Sequence, residues 1–320
     1  MPTLNEYWLA EATIEANATL NNVAMYLFGN YQDAQGTELA DLAIMNQPNE
    51  VLEQGLSYKT FTVGNQPLDN LQIRYLPVNG LGAKWSLGSV SNDGAGLHTI
   101  TNFTTARKPT ISVYKRGDYH KDYAYGCVCG STDWAFQLGV PLMCTHTFKG
   151  RTNGKTTDVP SGATYPSSVS SPFQLLDYWK WGPSDALVEY GIEGFRKQEV
   201  QELKPFMGPL GFYSDINEFT QIESVWTVIF KEGVDVSAII TDQFLLTSAG
   251  ANTGTARAID AKILKAVDNT KYIRFYNSSA ICIDMRKESV IGQPTRYTGT
   301  FLGTSASTTY VVDGVADAFY

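Results

Sequence analysis

The alternation of apolar and polar residues along the chain predicts a protein built mainly of β-strands. Residues 222–230 read IESVWTVIF and form the clearest strand, and shorter alternating runs occur at residues 59–63 and 71–75. Side chains point alternately to the two faces of a strand, so such runs predict sheets with one buried face. Gly and Asn residues between the runs are typical of tight turns. The pattern therefore predicts a mainly β fold with a few helices.

Helical spacing of apolar residues occurs in a few segments only. It predicts helices over residues 11–27, 39–45 and 256–267, the last with Ile259 and Ile263 one turn apart. Residues 192–203 also carry apolar residues at helical spacing, but the glycines among them disfavour a regular helix. Residues 234–246 are predicted as a strand with its connection.

One stretch near the middle of the chain recurs near its end. Residues 127–150 read CVCGSTDWAFQLGVPLMCTHTFKG, and residues 280–303 read AICIDMRKESVIGQPTRYTGTFLG. Aligned without a gap, the two stretches share Cys129/Cys282, Gly139/Gly292, Pro141/Pro294, Thr145/Thr298, Thr147/Thr300, Phe148/Phe301 and Gly150/Gly303. This recurrence predicts two similar β-hairpins and a fold used twice. The alternative is that any two β-hairpins share Thr, Gly and apolar alternation.

The phase of the alternation predicts which residues of each hairpin face the core. The apolar face of the first copy holds Val128, Thr132, Trp134, Phe136 and Leu138. The apolar face of the second holds Ile281, Ile283, Met285 and Ile291. Cys129 falls on the polar face. That face also carries the candidates for a functional surface, which are Ser131, Asp133, Gln137, Asp284, Arg286 and Glu288.

A run rich in Ser, Thr, Gly and Pro divides the chain. Residues 151–172 read RTNGKTTDVPSGATYPSSVSSP and are predicted to be a linker or a long surface loop. The division gives an N-terminal β domain over residues 1–150, beginning with a helical segment, and a second β domain over residues 173–320. A chain of 320 residues is long enough for two such domains.

Charge and targeting signals exclude several classes of protein. The formal net charge of −8 and the scarcity of Lys and Arg disfavour tight binding to nucleic-acid phosphates. The first residues include Glu6, Glu11 and Glu15 and lack the cationic start of a secretory signal. No run of 18 apolar residues occurs, so no membrane insertion is expected. We expect synthesis in the cytoplasm, with mostly structural, free thiols.

The sequence contains no recognisable catalytic, cofactor or metal site. The four cysteines and three histidines do not follow zinc-ligand spacing, and neither a dinucleotide-binding nor a phosphate-binding glycine motif occurs. His146 shares a strand phase with Cys144 and Phe148, which favours a packed histidine over a general base. We therefore predict no catalytic residue, cofactor or metal, and the chain is not expected to be an enzyme.

Residues 108–150 combine three features. An extended strand ends in a polar turn at residues 110–118, and an aromatic-Gly-Cys-Val step follows at residues 125–128. A long hairpin then turns at Gly139 and closes on an apolar residue and a glycine at residues 148–150. In these features the segment resembles the tail tube proteins of tailed viruses. The resemblance implies a tail-tube-like β-barrel or sandwich, used twice in this chain.

The resemblance also implies a function in the virion tail. Tube proteins of this family pair strands between subunits into a closed inner barrel, stack the rings and conduct DNA. The partners would then be further copies of the chain, in rings of three or six, other tail proteins, and DNA in transit. On this interpretation the six candidate residues line the lumen or a subunit contact, and an anionic lumen lets DNA slide.

Two other classes remain open at this stage. The same fold serves baseplate and terminator proteins, and a sheath subunit would also be rich in strands and form rings. A β-rich glycan-binding module is the second class, because aromatic side chains stack on sugars. Its candidates are Trp8, Trp85, Trp134, Trp179, Trp181 and Trp226.

Overall fold

A computed structural model describes most of the chain. The described residues are 6–12, 25–27, 30–36, 46–53, 56–63, 68–102, 110–116, 121–150, 152–156, 171–207, 213–218, 222–244, 254–289 and 295–315. They form mainly antiparallel β-strands with two short helices, which confirms the predicted mainly β fold with few helices.

The first half of the chain contributes twelve strands and one helix to the described part. They are β1 (Glu6–Ala12), β2 (Met25–Leu27), β3 (Asn30–Gly36), β4 (Asn46–Glu53), β5 (Leu56–Val63), β6 (Leu68–Leu76), α1 (Leu81–Leu87), β7 (Gly88–Asn92), β8 (His98–Asn102), β9 (Thr110–Arg116), β10 (Lys121–Gln137), β11 (Val140–Gly150) and β12 (Thr152–Thr156).

The second half contributes ten strands and one helix. They are β13 (Phe173–Gly182), β14 (Val188–Glu189), β15 (Ile192–Val200), β16 (Leu203–Met207), β17 (Tyr213–Glu218), β18 (Glu223–Phe230), α2 (Ser237–Phe244), β19 (Arg257–Lys265), β20 (Tyr272–Glu288), β21 (Arg296–Gly303) and β22 (Ser307–Val312).

Eight strands form one continuous antiparallel sheet, which we call the main sheet. Its order is β3-β6-β11-β10-β15-β18-β21-β20, with four strands from each half of the chain. The two halves meet in the middle, where β10 pairs with β15. The main sheet is therefore a joint product of both halves.

The two longest strands, β10 and β20, each take part in a second layer. The first part of β10 pairs with β9 and β12, and the first part of β20 pairs with β19 and β22. Large aromatic side chains pack between the layers: the ring centroids of Trp134 and Phe275 are 5.1 Å apart, and those of Trp179 and Phe301 are 5.7 Å apart. Among the described residues, the main apolar core contains residues of both halves.

The same order of elements and the same pairings occur in both halves. In each half the first main-sheet strand pairs with a strand three places later in the chain, as β3 with β6 and β15 with β18. The two strands between them form a separate hairpin, β4–β5 in the first half and β16–β17 in the second. A short helix follows (α1 and α2), and then the strands around the long hairpin. The described first half differs by the additional hairpin β7–β8 after α1.

Two predicted elements in the second half are wrong in type. Residues 256–267 were expected to be helical, but residues 257–265 form strand β19. In its second part Ala261, Ile263 and Lys265 are buried and the residues between them are partly exposed, which is the period of a strand. Since β19 pairs with both β13 and β20, its position inside a sheet overrides the local helical spacing.

Residues 234–246 are the opposite case, because they contain helix α2 and not a strand. Ile239 and Gln243, one turn apart, are buried on one face of the helix, and Val236 directly before the helix is also buried. The backbone N–H of Ser237 donates to Asp235 Oδ1 at 2.8 Å, which satisfies a free donor at the start of the helix. Residues 192–200, left open by the sequence, form strand β15.

The remaining local predictions lie partly outside the described residues. The helix predicted over residues 11–27 is wrong at both ends, because residues 11–12 belong to β1 and residues 25–27 form β2. Residues 13–24 and 39–45 lie outside the described part of the chain. Of the predicted linker, residues 152–156 form β12 and pair with β10, and residues 157–170 lie outside the described residues.

Candidate functional site

The two long hairpins have the same register, shifted by 153 residues. Cys129 lies opposite Phe148 and Cys282 opposite Phe301, and both hairpins have a β-bulge immediately after the cysteine. The cysteine Sγ donates to a carbonyl two residues further on in each case, at 3.3 Å from Ser131 O and 3.4 Å from Asp284 O. The aligned residues of the two stretches therefore have the same pairing register.

The bulges change the predicted faces. Thr132, Trp134 and Phe136 are buried, which confirms the apolar face of the first copy beyond its bulge. The other assignments are corrected: Cys129 and Cys282 are buried, whereas Ile283 is 54% exposed and Leu138, at the hairpin turn, is 42% exposed. A bulge inserts an extra residue and reverses the alternation, which sequence periodicity alone does not reveal.

The remaining predicted apolar positions are Val128, Ile281, Met285 and Ile291. Val128 is buried, but against Leu203 in a small cluster apart from the main core. Ile281 and Met285 are half-buried, and Met285 packs against the main core. Ile291 lies outside the described residues.

All six candidate residues lie on the side of the main sheet that faces away from the core, which we call the open face. Ser131, Asp133 and Asp284 are partly exposed, and Gln137, Arg286 and Glu288 are exposed. Within one chain the two sets do not come together, because β15, β18 and β21 lie between β10 and β20. Any site that needs both sets would require more than one chain.

Arginine side chains pair with both predicted aspartates on the open face. Arg196 Nε donates to Asp133 Oδ1 at 2.8 Å and to Oδ2 at 2.7 Å, and this bonding raises the pKa of Arg196 above its ordinary value. Arg286 Nε donates to Asp284 Oδ2 at 2.7 Å. The open face is therefore charge-compensated at these positions and not simply anionic. No pattern in the sequence indicates Arg196 as the partner of Asp133, since this pairing joins the two halves of the chain.

A shallow groove lies on the open face around Asp133. Its volume is about 330 Å³, and its lining includes Arg74, Met143, Thr145 and Arg196. Arg196 is committed to Asp133, and the lining contains neither a Ser, Cys or Lys nucleophile nor a histidine. The groove has the composition of a polar sheet surface.

The buried histidine His146 has a structural environment. Its Nδ1 lies 2.9 Å from Thr132 Oγ1 and its Nε2 lies 2.9 Å from Tyr75 OH, with no exposure of the side chain to solvent. Burial raises the pKa of the neighbouring Cys144 thiol well above its usual range. A Cβ added at Gly82 would collide with Tyr75 and His146, so the helix backbone packs closely against these two side chains. His146 is packed, as predicted.

A second buried polar cluster joins the two halves. Lys197 on β15 is fully buried and forms an ion pair with Glu199, and Ser86 Oγ, on α1, donates to Glu199 Oε2 at 2.5 Å. The Lys197 ammonium also lies 5.0 Å from the centroid of the Phe275 ring. Sequence reasoning missed this pair, because a Lys-x-Glu sequence in a strand is ordinarily exposed.

Five of the six tryptophans have described side chains, and all five are buried. Trp85, Trp134, Trp179, Trp181 and Trp226 are each at most 3% exposed. The rings of Trp134, Trp179, Trp181 and Trp226 pack against Phe, Tyr or His rings in the core. None of these five is available to stack on a sugar.

Comparison with known proteins assigns no family to the chain. No model of a known protein family matches the sequence, and no curated protein matches it. The described residues bring together no group of three His, Cys, Asp or Glu side chains that could hold a metal ion. Neither helix in the described part of the chain is long and apolar enough to cross a membrane.

Proposed function

We propose that this protein is a structural component of a virion that assembles into rings, and that stacked rings form the tail tube through which DNA is delivered. One observation carries the proposal. Two units with the same strand order already pair edge to edge within one chain, through β10 and β15. A sheet built from repeated units joined in this way extends naturally into a closed ring when further copies are added.

The open face supports a role as the wall of a channel. Its central positions carry Thr, Ser and Gln side chains, and its two candidate aspartates are neutralised by arginines. DNA binds to proteins mainly through phosphate contacts with Lys and Arg. Because Arg196 and Arg286 are already paired with aspartates, they offer fewer such contacts, so DNA would pass without being held tightly.

The number of strands favours a wide ring. Three chains with eight main-sheet strands each would form a closed sheet of 24 strands. At about 4.8 Å between strands, its circumference would be roughly 115 Å before strand tilt widens it further. Barrels with fewer strands already enclose aqueous channels. We propose a ring of three chains with pseudo-sixfold symmetry, and a ring of six chains as the alternative.

Electron microscopy of the purified chain tests the proposal. Concentrated protein at neutral pH is expected to form hollow tubes or stacked rings in negative stain. A chain that stops at single rings would instead be a terminator or hub component of a tail. A monodisperse particle of single-chain mass would contradict the proposed function.

A further inference from the structure

We propose that the end of β20 pairs, antiparallel, with β3 of a second copy of this chain, and that this contact joins the copies head to tail. The inference rests on the proposed assembly into rings. It goes further by naming the two edges, their register and the residues that meet. We call this contact the seam.

The template for the seam lies inside the chain. Residues 131–137 of β10 pair with residues 194–200 of β15, from Ser131 opposite Val200 to Gln137 opposite Gly194. Backbone hydrogen bonds of 2.8 Å bound this pairing at both ends, from Gln201 N–H to Gly130 O and from Leu138 N–H to Glu193 O. Here the long hairpin of one half meets the first main-sheet strand of the next half.

The strand β20 occupies in the second half the place that β10 occupies in the first. Both form the first strand of the long hairpin, with the same register at an offset of 153 residues. If the template repeats, the part of β20 beyond its bulge should pair with the first main-sheet strand of a following half.

The strand β3 occupies in the first half the place of β15. Both pair with the next main-sheet strand through one bulge, between Tyr31 and Asp33 in β3 and between Ile192 and Gly194 in β15. At the bulges, Tyr31 lies opposite Tyr75 and Ile192 lies opposite Phe230. The strands that carry Tyr75 and Phe230, β6 and β18, pair in the same register with the second strands of the two long hairpins, β11 and β21. The equivalence therefore runs at an offset of 161 residues, from Tyr31 to Ile192.

Both edges are open in a single chain. Within the described residues, β3 pairs with β6 alone, and β20 beyond Ala280 pairs with β21 alone. An open edge presents unpaired backbone donors and acceptors, and these pair readily with another strand. The two edges lie at opposite ends of the main sheet, so the contact joins two different surfaces of the chain and is heterologous. An assembly held by such contacts is closed only when the chains complete a ring.

The template fixes the register of the seam. Within the chain, Trp134 lies opposite Lys197 and Ala135 lies opposite Arg196. The equivalent pairs expected across the seam are Lys287 opposite Gly36 and Glu288 opposite Gln35. Lys287 and Glu288 are exposed in the single chain. Glu288 corresponds to Ala135, on the open face, so a substitution there leaves the core untouched.

A designed disulfide tests this register. In the double variant E288C/Q35C the two cysteines would lie directly opposite across the seam, within disulfide reach. Under mild oxidation we expect a ladder of covalent multimers on non-reducing gels, ending at the ring. The four native cysteines are buried, so they contribute no such ladder. The matched control K287C/Q35C places the cysteines on opposite faces of the paired strands and is expected to form at least about tenfold less multimer.

Mixing single variants tests the head-to-tail direction and guards against misfolded double variants. E288C mixed with Q35C should give covalent dimers, whereas each single variant alone should remain monomeric on the gel. Dimers from either single variant alone, or equal ladders from E288C/Q35C and its control, would overturn the seam.

The outcomes also separate the seam from the proposed function. Tubes in the microscope without the E288C/Q35C link would overturn the seam and leave the tube proposal standing. The link without tubes would support the seam and contradict the tube. Absence of both would overturn both.

Discussion

At the residue scale, burial and pairing of charges decide what the open face and the core can do. The carboxylates Asp133 and Asp284 were predictable as surface residues from strand alternation alone. Their arginine partners were not equally predictable, because Arg196 is 63 residues away from Asp133 in the chain. The buried Lys197–Glu199 pair was missed for a related reason, since its burial results from both halves packing together.

The buried ion pair makes a direct prediction for stability. The substitution Glu199→Ala should lower the free energy of unfolding by about 3–5 kcal/mol, because it leaves the Lys197 ammonium buried without its partner. Chemical denaturation followed by tryptophan fluorescence measures the change. The matched control K197M/E199Q removes both charges and should recover most of the loss. A single variant as stable as the double variant would contradict this account of the pair.

At the element scale, the sequence predicted strands and hairpins well and helices poorly. The long hairpin at Gly139 follows from strong alternation and a glycine with φ of +81°. The residues of helix α2 were predicted as a strand, and those of strand β19 were predicted as a helix. The apolar residues of β19 fit both periods, and only its two neighbours in the sheet decide between them. Bulges after Cys129 and Cys282 lie beyond the reach of periodicity, because no residue type marks them.

The hairpin β16–β17 provides a prediction at this scale. Within the described residues its two strands pair only with each other, and Phe206 is 49% exposed. A two-stranded hairpin is marginally stable on its own. In the unassembled, single chain, the backbone amide hydrogens of β16 should exchange with solvent at least about tenfold faster than those of β18, because β18 is paired on both sides within the main sheet. Hydrogen exchange measured by mass spectrometry checks this, and equal protection of the two strands would contradict it.

At the scale of the whole molecule, strands with the same order and pairings occur in both halves. In the sequence the similarity between the halves is confined to the long hairpin, where the two stretches share seven identities. The equivalence of β3 with β15 has no sequence signal at the same offset, because the loops differ in length. It becomes visible only through the registers.

The charge compensation of the open face predicts how assembled tubes respond to DNA. The substitution Asp133→Lys leaves Arg196 without its partner and adds a cation beside it, so tubes should acquire salt-dependent binding of duplex DNA. The affinity should fall at least about tenfold between about 50 and 200 mM salt. Fluorescence anisotropy measures it, with Asp133→Leu as the control that removes the pairing without adding a cation. Equal binding by tubes of D133K and of the unaltered chain would contradict this role of the open face.

Cryo-electron microscopy of assembled rings, viewed end-on, gives their symmetry. We expect three chains in each ring, with six similar units around one continuous β-wall. The same maps would place β20 of each chain beside β3 of the next. Rings of six chains, rings whose subunits touch without a continuous β-wall, or a protein that remains a single chain at high concentration would contradict the proposed assembly.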